Sequence, residues 1–312
     1  MQRSTEPQSI LQRFRWIVII SLMFTAPFLM AQALPPAPGT QIFNLTAPGF
    51  YSEPGVAINP RNPQQVVAVF QDYAHAAFSM NAGKHWTVAS GVKSQRYRVS
   101  GDVPTVFDAK GHAIICYMAF DKLGTFNYWG HNSSRNGLYI RRSLDGGKTW
   151  EQPDHEIIAH PTEPGVPWED KPYIVSDTTA GPYSGNLYVG WTRWTLTNSQ
   201  ILFTRSTDDG LTWSKPIEVD KHPGLPRDDN GALEGFDGAV GSHGELYVVW
   251  AGDNHIQFAA SRNGGKTFST PRNIIPTAPI MFQVERVARS NGFPQIAVDP
   301  RDRGKRLYVT WS

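Results

Sequence analysis

Four carboxylates stand within two residues of the start of short apolar runs. They are Glu53, Asp102, Asp170 and Asp237, and the runs begin at residues 54, 104, 172 and 238. Carboxylates that meet at one end of a set of strands can raise one another's pKa, hold a cation, or serve as general acid and base. Alternatively, each caps a strand end by accepting hydrogen bonds from loop N–H groups. The sequence leaves both interpretations open for every one of these acids.

Three arginines and one tryptophan are the candidate substrate-binding residues. They are Arg98, Arg193, Arg289 and Trp168, all beside the predicted strand ends. A guanidinium binds a carboxylate through two parallel hydrogen bonds, so three converging arginines would suit a carboxylate sugar. Trp168 can stack on a sugar ring, as can Tyr51, Trp129 and Trp194. The alternatives are solvated loop arginines and aromatic packing between strands.

The scaffold for these residues is indicated by an eight-residue phrase that occurs four times. Residues 143–150 and 206–213 carry Ser, Asp, Gly, Thr and Trp at offsets 0, 2, 4, 6 and 7, and residues 79–86 and 261–268 are looser copies. The copies begin 64, 63 and 55 residues apart, which indicates one supersecondary unit used repeatedly. Each copy follows an alternating strand-like run, so we expect a turn in which the side chain at offset 2 accepts backbone N–H groups. We therefore predict a structural role for the four residues at that offset, Asn81, Asp145, Asp208 and Asn263.

Apolar runs between the copies predict four strands in each repeat. Inner strands begin at residues 54, 104, 172, 238 and 294, and second strands at 65, 112, 186, 245 and 306. Third strands run into the phrase and fourth strands begin at its aromatic residue. This pattern is typical of a β-propeller built from four-stranded antiparallel blades, here over residues 50–312. The run ends after two strands of a fifth blade, and because an open ring exposes strand edges, we expect a C-terminally truncated portion of a longer protein.

The phrase S-x-D-x-G-x-T-W is the Asp box, or bacterial neuraminidase repeat, and the chain resembles the sialidase superfamily. The resemblance implies an all-β sialidase-like propeller, six-bladed when complete, in a secreted glycoside hydrolase of the exo-α-sialidase type that acts on terminal sugars of glycans. It places the catalytic residues at the mouth formed by the loops that enter the inner strands, with the Asp boxes on the opposite face. Asp102 or Asp72 then becomes the candidate acid/base.

The chain departs from the sialidase pattern at its first blade. Sialidases begin that blade with Phe-Arg-Ile-Pro, whose Arg binds the sialic acid carboxylate, but residues 50–54 read Phe-Tyr-Ser-Glu-Pro. The nucleophilic Tyr of the family, with its partner Glu, comes from later blades and is expected beyond Ser312. A non-catalytic propeller that binds glycan or protein at the cell surface is therefore the alternative function.

The N-terminus predicts export. Arginines at positions 3, 13 and 15 precede an apolar run over residues 16–30, and Ala31 and Ala33 supply a cleavage site, so residues 1–33 form a predicted signal peptide. The alternative is a membrane anchor, for which the run is short. Residues 34–49 form a Pro-rich lead-in. We expect a secreted, periplasmic or cell-surface protein without a stable membrane span after cleavage.

Composition and motifs exclude several other classes. The chain has 29 basic and 27 acidic side chains and no basic run, which argues against nucleic acid as a partner. Cys116 is the single cysteine, so a disulfide framework is excluded. We expect a glycan partner, no cofactor and no catalytic metal, while a structural cation such as calcium stays open. His155 and His160, five residues apart, are a weak metal signal.

Overall fold

The computed structural model describes residues 39–47, 53–71, 75–89, 92, 96–97, 99–121, 135–162, 167–227, 230–276, 280–287, 290–302 and 306–312. The chain divides into two compact units, residues 1–43 and 44–312, and the strands given below lie in the second. The predicted signal peptide lies outside the described residues, as do Tyr51, Asp72, Arg98, Trp129 and Arg289. In the described ranges, no helix is long and apolar enough to cross a membrane.

Antiparallel sheets follow one another along the chain. The first contains β1 (Gly55–Ile58), β2 (Val66–Phe70), β3 (His75–Ser79) and β4 (Thr87–Val88). The second contains β5 (Val99–Gly101), β6 (Thr105–Phe107), β7 (Ala113–Phe120), β8 (Asn136–Ser143) and β9 (His155–His160). The third contains β10 (Trp168–Ser176), β11 (Leu187–Trp194), β12 (Ser199–Ser206) and β13 (Ile217–Glu218).

The fourth sheet contains β14 (Glu234–Val240), β15 (Leu246–Gly252), β16 (His255–Ser261) and β17 (Arg272–Pro276). Two strand pairs complete the described structure: β18 (Met281–Phe282) with β19 (Ser290–Asn291), and β20 (Gln295–Val298) with β21 (Leu307–Thr310). A short 3-10 helix spans Pro300–Asp302. The predicted all-β class with four-stranded antiparallel sheets is confirmed, while the total number of blades and the truncation stay predictions.

The innermost strands of successive sheets lie side by side. β6 packs against β1 and β10, and β14 packs against β10 and β20. Between the sheets lie apolar layers, each shared by two neighbours: Val67 and Ile115 belong to the layer between the first two sheets, and Ile114 and Trp191 to the next. All eight side chains of β7 are buried because both faces of this strand meet a neighbouring sheet. Each fully buried large side chain contributes roughly 1.5–3 kcal/mol.

In the second, third and fourth sheets, the inner strands begin earlier than predicted and are interrupted near the predicted start. In the second sheet, β5 and β6 both pair with β7 and flank Asp102, Val103 and Pro104. β10 has a register shift between Asp170 and Tyr173, and β14 has one between residues 234 and 237. Proline cannot donate to a strand ladder, which explains the break at Pro104 and at Pro172.

The fourth strands of the second, third and fourth sheets begin later than predicted. β9 starts at His155 rather than at Trp150, and β13 and β17 start four residues after their box aromatics. Prolines at positions 153, 216 and 271 precede these three strands and supply no N–H for pairing. The residue directly after the aromatic of each of these three boxes donates one backbone hydrogen bond to the third strand. An example is Glu151 N–H to Arg142 O, at 2.8 Å.

The Asp boxes form the turns between third and fourth strands. In the second sheet, Ser143 Oγ donates to Asp145 Oδ1 at 2.8 Å, and the N–H groups of Gly147 and Thr149 donate to Ser143 Oγ and Asp145 Oδ1 at 2.7 and 3.0 Å. The same three bonds occur in the boxes around Asn81, Asp208 and Asn263. An amide oxygen thus replaces a carboxylate oxygen in two of the four boxes.

The boxes of the second, third and fourth sheets also pack against the sheet before their own. Gly147 of the second sheet has a φ of +96°, and a Cβ built there would lie 2.6 Å from Val67 of the first sheet. Gly265 of the fourth sheet stands in the same relation to Phe203 of the third, at 2.8 Å. The box aromatic contacts the same neighbouring sheet as the glycine: the Phe268 ring meets the Phe203 ring edge-on, with 4.8 Å between the ring centres. The box is therefore a wedge between neighbouring sheets as well as a turn.

Candidate functional site

A cavity of about 440 Å³ lies between the inner strands of the first three sheets and β20. Among the residues that the structure describes, its charged lining side chains are Glu53, Asp102 and Lys171. We call it the axial cavity. The three residues have φ angles of 49°, 44° and 52°, in the left-handed region that non-glycine residues adopt rarely. Such strained backbone clusters at functional sites, which makes this cavity the leading candidate for one.

Lys171 connects the three acids of this region. Its backbone N–H donates to Asp102 Oδ2 at 3.2 Å and to Asp170 Oδ1 at 3.0 Å. Its ammonium donates to Glu53 Oε1 at 3.0 Å and lies 5.7 Å from the ring centre of Phe293. The interruption of the inner strand before Pro172 frees this N–H from the β ladder, so it can serve the carboxylates.

Asp102 and Asp170 form a carboxyl pair. Asp102 lines the cavity, whereas Asp170 is buried behind it and accepts a hydrogen bond from Trp194 Nε1 at 2.9 Å. A hydrogen bond joins the two carboxyl groups. Burial first, and the charge of Asp102 second, raise the pKa of Asp170 to about 7. Asp170 therefore keeps its proton in mildly acidic solution.

Asp237, the fourth predicted acid, does not line the cavity. It is buried, and its Oδ1 and Oδ2 accept the N–H groups of Gly238 and Ile296 at 2.7 and 2.9 Å. Because Ile296 lies on β20, this carboxyl group joins the fourth sheet to the next strand pair. Burial raises the pKa of Asp237 to about 6. Asp237 thus has the bonds of a strand cap, which is one of the two interpretations left open by the sequence.

Arg193 does not reach the axial cavity. Its Nε donates to Glu169 Oε1 at 2.8 Å, its Nη2 makes a second bond to the same oxygen, and His160 Nε2 lies 2.7 Å from it. Trp191 Nε1 donates to the other oxygen. Burial opposes ionisation of Glu169, but the bonds from His160 and the charge of Arg193 outweigh it and lower the pKa of this carboxyl. The guanidinium of Arg193, which was predicted to bind a substrate carboxylate, therefore binds the carboxylate of Glu169 instead.

This cluster was not predicted from the sequence, although a signal for it exists. Glu169 and Asp170 are consecutive on β10, and successive side chains of a strand point to opposite faces. Two adjacent acids on an inner strand therefore cannot both serve the same site. Asp170 points toward Asp102, and Glu169 toward β11 and the end of β9.

Trp168 belongs to the core. It is buried and its ring lies 5.1 Å from that of Phe120, so no face is free to stack on a sugar. Tyr173 and Gln295 line the cavity instead, with Gln295 Nε2 3.4 Å from the Tyr173 hydroxyl. Both stand near the start of predicted inner strands, a position that could have identified them.

The Asp boxes lie at the other end of the strands. In the third sheet Ser206, which begins a box, pairs with Leu187 and through it with Ser176 at the end of β10. Glu169 pairs with Arg193 at the opposite end of the same ladder. Asp208 and its equivalents are thus separated from the axial cavity by the length of a blade.

Metal ligands are not gathered anywhere in the described ranges: no three His, Cys, Asp or Glu side chains there are arranged to hold an ion. His155 and His160 stand at opposite ends of β9, with His155 beside Glu151 and His160 on Glu169. They therefore do not form a pair of ligands. Cys116 is buried in the middle of β7.

No protein-family model and no curated protein matches the sequence. Solved structures match it by fold. A protein of unknown function from Dyadobacter fermentans superimposes with a TM-score of 0.54 at 16% identity, over 84% of this chain and 74% of that one. The NanB sialidase from Streptococcus pneumoniae gives 0.53 at 11% identity, over 84% and 57%. The GH93 α-L-arabinofuranosidase of Fusarium graminearum, in complex with arabinobiose, gives 0.53 at 14% identity, over 84% and 74%.

These similarities define the class of fold, a sialidase-like β-propeller. At such low identities they carry no residue roles and no substrate. The chain spans little more than half the length of the pneumococcal sialidase. The likeness includes glycoside hydrolases that act on different sugars.

Proposed function

We propose that the chain is the catalytic propeller of a secreted, sialidase-like glycoside hydrolase that removes terminal sugars from glycans, with the axial cavity as its active site. One observation carries the proposal: Asp102 faces the cavity with Asp170 hydrogen-bonded behind it, and Glu53 lines the same cavity. Glycosidic cleavage uses a pair of carboxyl groups, one to protonate the leaving oxygen and one to act on the other side of the sugar.

The carboxyl pair supplies the proton. Because the pKa of Asp170 is raised to about 7, Asp170 keeps its proton in mildly acidic solution. Asp102 is the member in contact with the cavity, so the proton of Asp170 passes to Asp102 and from Asp102 to the glycosidic oxygen, which leaves the pair with one proton fewer. An acid tuned toward neutral pH is the usual requirement for this role.

Glu53 is the second carboxylate. The ammonium of Lys171 holds it at 3.0 Å, and Pro54, the next residue, fixes the direction in which the first inner strand begins. In this position Glu53 provides negative charge to the cationic sugar ring that forms during cleavage.

The test is turnover by the full chain on a panel of fluorogenic terminal glycosides that includes α-sialosides and α-L-arabinofuranosides. Asp102→Asn should lower kcat on the cleaved substrate about 100-fold or more, the usual size of a general acid's contribution. Asp253→Asn is the matched control, since Asp253 is an exposed residue outside the axial cavity with a φ of 51°, and asparagine tolerates this region as well as aspartate does. Background rates on every substrate, or equal rates in the two variants, would reject the proposal.

A non-catalytic glycan-binding propeller is the second candidate. It is favoured by the ion pair between Lys171 and Glu53, which satisfies both charges inside the cavity without a reactant. Under this alternative a glycan array would detect binding, Asp102→Asn would leave the affinity unchanged, and no glycoside would be cleaved.

Export is part of the proposal. The basic start, the apolar run over residues 16–30 and Ala31 and Ala33 support a cleaved signal peptide. Sequencing the N-terminus of the exported protein tests it, with residue 34 expected first. A mature protein that retains its first 33 residues would instead indicate the anchor.

A further inference from the structure

The axial cavity has an excess of negative charge. Its charged lining side chains in the described residues are Glu53, Asp102 and Lys171. Lys171 and Glu53 form an ion pair at 3.0 Å, and Asp102 adds a second acidic side chain, so acids outnumber bases two to one in this lining. The described part of the lining is thus anionic.

We propose that the axial cavity accepts uncharged sugar rings and excludes sugars that carry a carboxylate. This inference rests on the glycoside hydrolase activity proposed above and narrows its substrate class. It concerns the charge of the bound sugar and not the identity of the leaving group.

The nearby cations in the part of the chain that the structure describes are already engaged. A substrate carboxylate that shared Lys171 with Glu53, or displaced Glu53 from it, would face the negative charge of Glu53 at short range. Arg193 is held by Glu169, whose side chain is fully buried. Withdrawing the guanidinium would leave that carboxylate buried without its charge partner, which is strongly unfavourable.

The uncharged lining suits a neutral sugar. Tyr173 and Gln295 offer a hydroxyl and an amide, groups that pair with sugar hydroxyls. Pro54 and Val56 supply an apolar surface, and Val56 is 67% exposed in the cavity. Polar groups of this kind fix the orientation of a ligand while the apolar wall provides contact area.

Electrostatics set the size of the discrimination. Two like charges about 6 Å apart, at an effective dielectric constant of about 20, disfavour binding roughly 100-fold. Salt weakens the repulsion because the cavity is open to solvent.

The experiment compares two substrates that differ only in a carboxylate, a fluorogenic hexoside and the matching hexuronide, in the wild-type full chain and in Gln295→Lys and Gln295→Glu. Gln295 is exposed, lines the cavity and takes no part in the proposed proton transfer. Both substitutions remove its amide as a sugar contact, so the two variants differ from each other only in the charge that they add. Wild type should favour the neutral substrate in kcat/KM. Gln295→Lys should shift the preference toward the hexuronide about tenfold relative to Gln295→Glu, and less at high salt. A wild-type preference for the hexuronide, or equal preferences in the two variants, overturns the inference.

Binding of free sugars separates this inference from the proposed activity. If no glycoside is cleaved, the activity fails, but saturation-transfer NMR with a free neutral hexose, the corresponding hexuronate and N-acetylneuraminate still decides the charge preference. Contact with the neutral sugar alone supports the inference, and contact with an acid sugar, or with no sugar, overturns it. Val56→Lys repeats the charge test at a second exposed cavity position if the Gln295 variants do not fold.

Discussion

Asp102 and Asp170 accept the same backbone N–H group, that of Lys171, although the two acids come from neighbouring sheets. This shared donor draws the carboxyl groups together, and a hydrogen bond between them completes the contact. The pairing depends on the break in β10 before Pro172, because an N–H in a regular ladder would be bonded to the next strand. An irregularity of the backbone thus creates the one carboxyl pair found at the cavity.

Replacing Asp170 should change how stability depends on pH. Its pKa is about 7 in the folded protein and near 4 when unfolded, so the folded state binds more protons between these values. The contribution of Asp170 to the free energy of unfolding is therefore full below about pH 4 and is lost as the pH rises through 7, at about 1 kcal/mol per pH unit at most. Urea denaturation from pH 4 to 8 should show this fall in wild type relative to Asp170→Asn.

Asp237 provides the matched comparison for that experiment. Its folded pKa of about 6 is also raised, by burial without a second carboxylate, so its contribution should disappear at a lower pH than that of Asp170. Identical pH dependence in wild type and in both Asp→Asn variants would contradict the raised pKa values.

Loss of Glu169 should destabilise the fold far more than loss of a surface acid. Glu169→Gln leaves Arg193 without its charge partner beside a buried amide, and breaking a buried pair in this way costs about 3–5 kcal/mol. Glu218→Gln, which removes a half-exposed partner of Lys221, should cost less than about 1 kcal/mol. Chemical denaturation measures both. Similar losses for the two variants would show that the buried cluster is not an important support of the fold.

Gly147 should tolerate alanine poorly because of its neighbour rather than its backbone. Gly147 and Gly185 both have positive φ, +96° and +88°, but a Cβ at 147 would meet Val67 at 2.6 Å while a Cβ at 185 would meet nothing within 4 Å. Gly147→Ala should therefore lose about 1–3 kcal/mol more than Gly185→Ala, the usual cost of overpacking. Equal changes in melting temperature for the two variants would mean that Gly147 is not tightly packed between the neighbouring sheets.

The Asp-box acids should behave as turn residues. Asp208→Asn keeps the oxygen that accepts from Ser206 and Thr212, as Asn81 and Asn263 do in their own boxes, and should be nearly neutral in stability. Asp208→Ala leaves those donors without their acceptor and should cost about 1–3 kcal/mol. Neither variant should change kcat on any cleaved glycoside. A selective loss of activity in Asp208→Asn, with stability intact, would give this residue a role in chemistry.

The boxes were predictable from sequence because their bonds are local. Ser, Asp, Gly and Thr at offsets 0, 2, 4 and 6 can satisfy one another within eight residues, so the motif fixes its own geometry. The repeat spacing then indicates the all-β class and the order of the strands. The predicted starts of the fourth strands in the second, third and fourth sheets were wrong because a proline three residues after each box aromatic delays pairing.

The site was less predictable, since its side chains act across sheets. Glu53, Asp102, Asp170 and Asp237 stand at equivalent places in the sequence, yet two line the cavity, one lies behind it and one joins β14 to β20. Register shifts in β10 and β14 decide which way each acid points. The sequence predicted Arg193 as a substrate ligand because nothing in it showed that Glu169 binds this arginine. In the sequence, Glu169 was noticed only as the acid next to Asp170.

The wedge made by the Asp boxes of the second, third and fourth sheets means that a repeat of the sequence does not coincide with a unit of packing. A repeat of 55 to 64 residues carries its own strands, but its box completes the surface of the repeat before it. Exchanging one repeat between two such propellers would therefore bring a foreign glycine and aromatic against the preceding sheet. Chimeras should keep each box with the face it contacts, so the natural crossover point lies inside a repeat and not between two of them.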